Sequence, residues 1–83
     1  VDNCPDASAR GVVADQAGAG LVRYVHEGRS GVVHVRNRAI AEAAGDYAIF
    51  LDDDEVPCED WLAAWMTLAD GTTDAAFGRI VPR

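Results

Sequence analysis

Asp46-Tyr47-Ala48-Ile49-Phe50-Leu51 runs directly into Asp52-Asp53-Asp54-Glu55. The first six residues form a nearly continuous apolar run with aromatic and β-branched members, the pattern of a strand covered on both faces, as in the middle of a parallel sheet. The four carboxylates then stand at its carboxyl end, which is where open parallel sheets bind ligands. Together the two segments predict an α/β fold with a site at the end of a central strand.

Upstream, Val32 to Ala44 sets Val32, Val35, Ala39 and Ala43 along one stripe with Val33, Ile40 and Ala44 beside it, the broad apolar face of a helix closed by Gly45. Before it, Leu21 to His26 is a short β-favouring stretch, ended by the breaker-rich Glu27-Gly28-Arg29-Ser30-Gly31. Ser8 to Ala19 carries Val12, Val13, Ala14 and Ala17 at helical spacing, with Asp6 or Ser8 able to cap its start and Gly18 and Gly20 to end it. Downstream of the acid run, Pro57 and the acidic pair Glu59-Asp60 introduce a helix over Trp61 to Leu68, stopped by Asp70-Gly71. Asp74 to Val81 reads as one more strand, with Gly78 a bulge or point of close approach. The order is α-β-α-β-α-β, and helices between strands imply right-handed crossovers and a mainly parallel sheet flanked by helices.

At 83 residues the chain is one small domain, with a thin core. It begins with Val1 and shows neither a secretory signal nor an apolar run of membrane-spanning length, so it reads as a piece of something longer in the cytoplasm. Cys4 and Cys58 belong to no metal-ligand pattern and are read as unpaired thiols in a reducing compartment. A net charge of −7 argues against nucleic acid as a partner. Six of the nine residues from Asp52 to Asp60 are carboxylates, so the acid is a local feature rather than a solvating background.

Adjacent carboxylates repel one another, and a hard cation that prefers oxygen ligands, Mg²⁺ or Mn²⁺, relieves that cost. On an extended segment Asp52 and Asp54 project to one side and can face the same ion, while Asp53 points away. Magnesium usually shares its positions among one or two carboxylates, waters and phosphates, so a metal-bridged diphosphate is the natural guest. Arg29, Arg36 and Arg38 lie upstream, and Arg36 sits near a helix start, where backbone N–H groups favour anions. Arg29 and Arg38 read as surface solubility residues.

In order and spacing, Val1-Asp2-Asn3, Gly31, Arg36-Asn37-Arg38-Ala39-Ile40, Gly45-Asp46-Tyr47 and Phe50-Leu51-Asp52-Asp53-Asp54 resemble the nucleotide-sugar half of family 2 glycosyltransferases, which have the GT-A fold. The resemblance covers essentially the whole chain and makes it a single, incomplete nucleotide-sugar-binding domain. It implies that Asp2 contacts the base or ribose and that Arg36 lines the nucleotide pocket. Asp52 and Asp53 are then candidates for ribose and phosphate contacts, and Asp54, with Asp52 beside it, for ligating the metal on the donor diphosphate. The implied donor is a nucleotide diphosphate sugar and the implied acceptor a glycan or lipid-linked saccharide, with membrane association possible through regions outside these residues. The resemblance also places a first strand before Val1 and the general base after Arg79, so no catalytic residue is assigned. Asn3-Cys4-Pro5-Asp6 departs from the family's usual acidic, Gly/Ser-rich turn.

Trp61 and Trp65, four apart on one helix face, are read as core rather than as a sugar platform. His26 and His34 are assigned to no metal, and the acidic neighbours of Cys58 are expected to raise its thiol pKa. The competing class is a non-catalytic α/β binding module with an acidic Ca²⁺ or Mg²⁺ loop. The spacing is not that of an EF-hand, since Ala63 stands at position twelve from Asp52.

Overall fold

The computed structural model describes residues 1–16 and 20–82. They contain three helices, α1 (Ala9–Gln16), α2 (Val32–Glu42) and α3 (Trp61–Met66). The chain divides into two compact units, Val1–Ala48 and Ile49–Arg83.

In the first unit, a turn closed by the Ala7 N–H on the Cys4 carbonyl (2.9 Å) leads into α1. Ala7 adopts a left-handed φ of 50° there, a conformation that costs any residue with a Cβ. The Ala9 N–H at the head of α1 donates to the Asp2 carboxylate (3.2 Å). The side chain shown holding the start of this helix is thus Asp2, seven positions away, rather than the Asp6 or Ser8 expected to cap it. The expected end of the helix, at Ala17 to Ala19, lies outside the described residues.

Gly31 begins α2 with a φ of 113°, a backbone state that glycine adopts without strain. Its carbonyl accepts from the N–H groups of His34 (3.2 Å) and Val35 (3.4 Å). The helix ends at Glu42, because Ala43 turns extended and its N–H closes onto the Ala39 and Ile40 carbonyls. His34, Val35, Arg38, Ala39 and Glu42 form its half-buried face, while Val32, Val33 and Ile40 are exposed. The predicted apolar stripe is thus covered only at Val35 and Ala39, and the rest of the covered face is polar.

The second unit holds α3, shorter than the predicted Trp61 to Leu68. Its last turn tightens, with Thr67 donating its hydroxyl to the Ala64 carbonyl (2.7 Å) and Leu68 its N–H to the Trp65 carbonyl (3.0 Å). Asp70 then accepts from the Thr72 N–H (2.9 Å) and hydroxyl (2.8 Å), a local turn that competes with helix, and Gly71 follows at a φ of 82°. Trp61 and Trp65 are half-buried, and a Cβ on Gly78 would stand 3.1 Å from the Trp65 ring. Gly78 is the close-approach point the sequence suggested.

The sheet is the main departure. Among the described residues, Leu21 to His26 contributes only a single parallel bridge, between Asp2 and His26, and neither Asp46 to Leu51 nor Asp74 to Val81 forms a strand. A strand is defined by its pairing, and apolar composition says only that a segment can be covered, not what covers it. Here Ile49, Phe50 and Leu51 are 38%, 44% and 44% exposed, and no hydrophobic residue among those described is buried. With so little apolar burial to offset conformational entropy, the 83 residues alone are expected to melt broadly and below about 65 °C, the upper end of the ordinary range. A sharp calorimetric transition above that temperature would contradict this expectation.

Candidate functional site

The first unit gathers its polar side chains around Asp2. The Asp2 carboxylate accepts the Cys4 N–H (2.8 Å), the Ala9 N–H (3.2 Å) and the Tyr24 hydroxyl (2.7 Å). The Cys4 N–H, foremost, and the Tyr24 hydroxyl hold its pKa below the usual carboxylate value. Burial, followed by the same bond to Asp2, raises the pKa of Tyr24. The Arg10 guanidinium stands 5.6 Å over the Tyr24 ring. A cleft of about 180 Å³ opens beside these groups, lined by Asp2, Val13, Val22, Arg23 and Tyr24 among others. With three donors on roughly four acceptor positions, Asp2 has little capacity left for a further partner.

The Asp2 backbone is tied to the same region. Its N–H donates to the Val25 carbonyl (2.9 Å) and its carbonyl accepts the Glu27 N–H (2.8 Å). His26 contacts the Cys4 carbonyl through Nε2 (2.8 Å). These bonds frame the bridge to His26 and carry the chain into the loop before α2.

Glu27, 4% exposed, is the buried charged residue of the described chain. Arg29 donates to its carboxylate through Nε (2.8 Å), Nη2 (3.0 Å) and the backbone N–H (3.0 Å). Arg38 approaches it from α2 at 4.0 Å and pairs with Glu42 one turn on at 2.8 Å. Arg23 also meets Glu42, pairing with its carboxylate at 3.4 Å and donating to its carbonyl. Arg29 and Arg38, read from sequence as surface residues, are members of an ion-pair chain, although Arg29 remains two-thirds exposed. Arg36 sits exposed on α2.

Arg29, above all through its side-chain hydrogen bonds, lowers the Glu27 pKa from 4.5 to about 2. A depressed carboxyl pKa stabilises the folded state fully above the unfolded value and loses that contribution as pH falls through the folded one. The Glu27 contribution is therefore complete above 4.5 and lost between 4.5 and about 2. A thermal midpoint followed across that window should fall more steeply in the wild type than in Glu27→Gln. Parallel curves would show that the ion pair carries no net stability.

In the second unit the acid run is a turn and not the extended segment expected. The Glu55 N–H donates to the Asp52 carbonyl (3.1 Å), and the Asp52 N–H donates to the Glu55 carboxylate (3.2 Å). Glu55 is half-buried, while Asp52, Asp53 and Asp54 are exposed. The alternation that was to put Asp52 and Asp54 on one side does not apply in a turn. The donor set remains one of hard carboxylate oxygens, which suits Mg²⁺ or Mn²⁺. Among the described residues no three potential ligands converge, so an ion here would complete its shell with waters and ligand oxygens. Cys58 is free and exposed, and Asp60, foremost through a hydrogen bond, raises its thiol pKa as its acidic surroundings suggested.

The family model described as glycosyl transferase family 2 matches residues 1–83. A succinoglycan biosynthesis protein, ExoM, of Rhizobium meliloti (strain 1021) is 35% identical over 82 residues, covering 90% of this chain and 25% of the relative. No solved structure matches. The chain belongs to glycosyl transferase family 2. It spans about a quarter of the length of the curated relative it matches. Membership implies the GT-A fold, of whose sheet the described residues show the one bridge between Asp2 and His26.

The sequence reading singled out Asp2, Arg36, Asp52, Asp53 and Asp54, and missed Tyr24 and Glu27. Tyr24 read only as a strand former and Glu27 only as part of a loop. The signal available for Glu27 was a carboxylate two residues before Arg29 in a glycine-flanked loop, a spacing that lets a side chain bond back onto its own turn.

Proposed function

We propose that this chain supplies the donor-binding part of a family 2 glycosyltransferase, holding a nucleotide diphosphate sugar for transfer to a glycan or lipid-linked acceptor. The observation that carries the proposal is the acid turn Asp52 to Glu55, with Asp52, Asp53 and Asp54 exposed, set directly after an apolar segment in a chain of this family. Asp54 and Asp52 would hold Mg²⁺ or Mn²⁺, which supplies Lewis-acid stabilisation of charge on the leaving diphosphate. Asp53 and Asp52 would contact ribose and phosphate, Arg36 the nucleotide phosphates, and Asp2 the base or ribose through the acceptor capacity its three present donors leave. The Asp2 environment supports a positioned contact, because a carboxylate fixed by three hydrogen bonds loses little freedom on binding.

We read the transfer as inverting, with the general base outside these residues and the site facing the cytoplasm. No helix among the described residues is long and apolar enough to cross a membrane. The relative's name ties that protein to succinoglycan biosynthesis, which supports a saccharide acceptor. The test is donor turnover by the full-length protein. Release of UDP or GDP from the corresponding sugar nucleotides should require added Mn²⁺ or Mg²⁺ and an acceptor extract, and stop with EDTA. Release of neither nucleotide under any metal condition would overturn the proposal.

A further inference from the structure

Asp2 and Arg36 reach the proposed nucleotide pocket from different parts of the first unit. Asp2 lies near the start of the chain and Arg36 on α2. Glu27 is bonded to both parts. Its backbone N–H donates to the Asp2 carbonyl (2.8 Å). Its carboxylate, 5% exposed, takes three hydrogen bonds from Arg29 in the loop before α2 and stands 4.0 Å from Arg38, two residues beyond Arg36.

A buried carboxylate is tolerated when it is paired and hydrogen-bonded, and removing its charge then releases every group it holds. Replacing it would free three things together: the loop over Gly28 to Gly31, the Arg38 side chain of α2, and through them the position of α2 relative to Asp2, whose carbonyl the Glu27 N–H holds. Arg38 is secured a second time by Glu42, so α2 itself persists without Glu27 while its anchor to the loop does not.

We infer that Glu27 is a positioning residue for donor binding: its backbone and carboxylate together set Asp2 and the helix α2 that carries Arg36 in register. The inference rests on the donor-binding function proposed above. It also separates Glu27 from a stabilising ion pair of no functional consequence. A purely structural role would reduce the amount of active protein, lowering apparent kcat and leaving KM unchanged. A positioning role raises the donor KM and leaves kcat and the acceptor KM nearly as they were.

The experiment measures donor and acceptor kinetics of the full-length protein for the wild type, Glu27→Gln, Glu27→Asp and Arg38→Gln. For Glu27→Gln the donor KM should rise about tenfold, short of the roughly hundredfold that a misplacement of about 1 Å can cost. Glu27→Asp, which keeps the charge, should recover part of the loss. Arg38→Gln cuts the same link from the helix side and should raise the donor KM by a smaller factor, which decides the matter if Glu27→Gln does not fold. An unchanged donor KM in Arg38→Gln and in any folded Glu27 variant, or a change in kcat alone, would overturn the inference. A wild type that turns over no sugar nucleotide would instead overturn the proposed function.

Discussion

Asp54→Ala is expected to lower sugar transfer by at least about a hundredfold, the scale on which loss of one group aimed at developing charge acts. Asp54 is exposed in the turn that follows Leu51, so its truncation removes the proposed metal ligand without opening a cavity. The melting curve of the variant should therefore overlay that of the wild type. In the same assay Asp53→Ala should cost only about tenfold, because a ribose or phosphate contact can be partly replaced by water. Steady-state release of the nucleoside diphosphate, measured beside circular dichroism, separates these outcomes. Equal activity in Asp54→Ala and the wild type would remove the acid turn from the mechanism.

Asp2→Ala should be the most damaging substitution in the first unit, because it acts on structure and binding together. The Asp2 carboxylate holds the Ala9 N–H at the head of α1, the Cys4 N–H and the Tyr24 hydroxyl. Loss of a helix-capping acceptor from a domain of this size lowers the thermal midpoint by roughly 5 °C. Nucleotide affinity should fall with it, beyond what the unfolded fraction accounts for at a temperature where both proteins are folded. Asp2→Asn keeps one acceptor oxygen but turns an amide donor toward groups that are themselves donors, so it should rescue only part of either effect. Tyr24→Phe removes a single one of the three bonds and should fall between Asn and wild type. An Asp2→Ala protein that melts with the wild type would mean that the hydrogen bonds at Asp2 carry no net stability.

The helices were legible because their signals are local. Gly31 and the periodic run after it marked the start of α2, and Trp61 the start of α3, each at the residue where the helix begins. The ends were less so: Ala43 turns extended after α2 and the chain tightens at Thr67 and Leu68 after α3, so both helices stop earlier than periodicity suggested. The strands were read from apolar composition, yet pairing is a non-local property, and of the expected sheet only the bridge of Asp2 with His26 is present among the described residues.

The candidate site divides along the same line. The acid run was evident from residue type alone, but its turn geometry rests on the Glu55 side chain bonding back to the Asp52 N–H, a choice that composition does not reveal. Asp2 was named through family resemblance, and its three donors come from positions as far away as Tyr24. Glu27 escaped notice because its importance lies in burial and in partners on two different segments. Its arginines were likewise read as solvent-facing charges, since only the folded chain brings Arg38 toward the loop.

The central claim is that the acid turn joins a nucleotide diphosphate to the protein through a divalent metal. Isothermal titration of the full-length protein with UDP and with GDP, in Mn²⁺ and again in EDTA, tests it most directly. The account predicts saturable binding of one of the two nucleotides with Mn²⁺, little or none in EDTA, and loss of the metal-dependent part in Asp54→Ala. Nucleotide binding of equal strength in EDTA would contradict it. So would Mn²⁺ binding that neither nucleotide alters, the behaviour of a non-catalytic acidic loop.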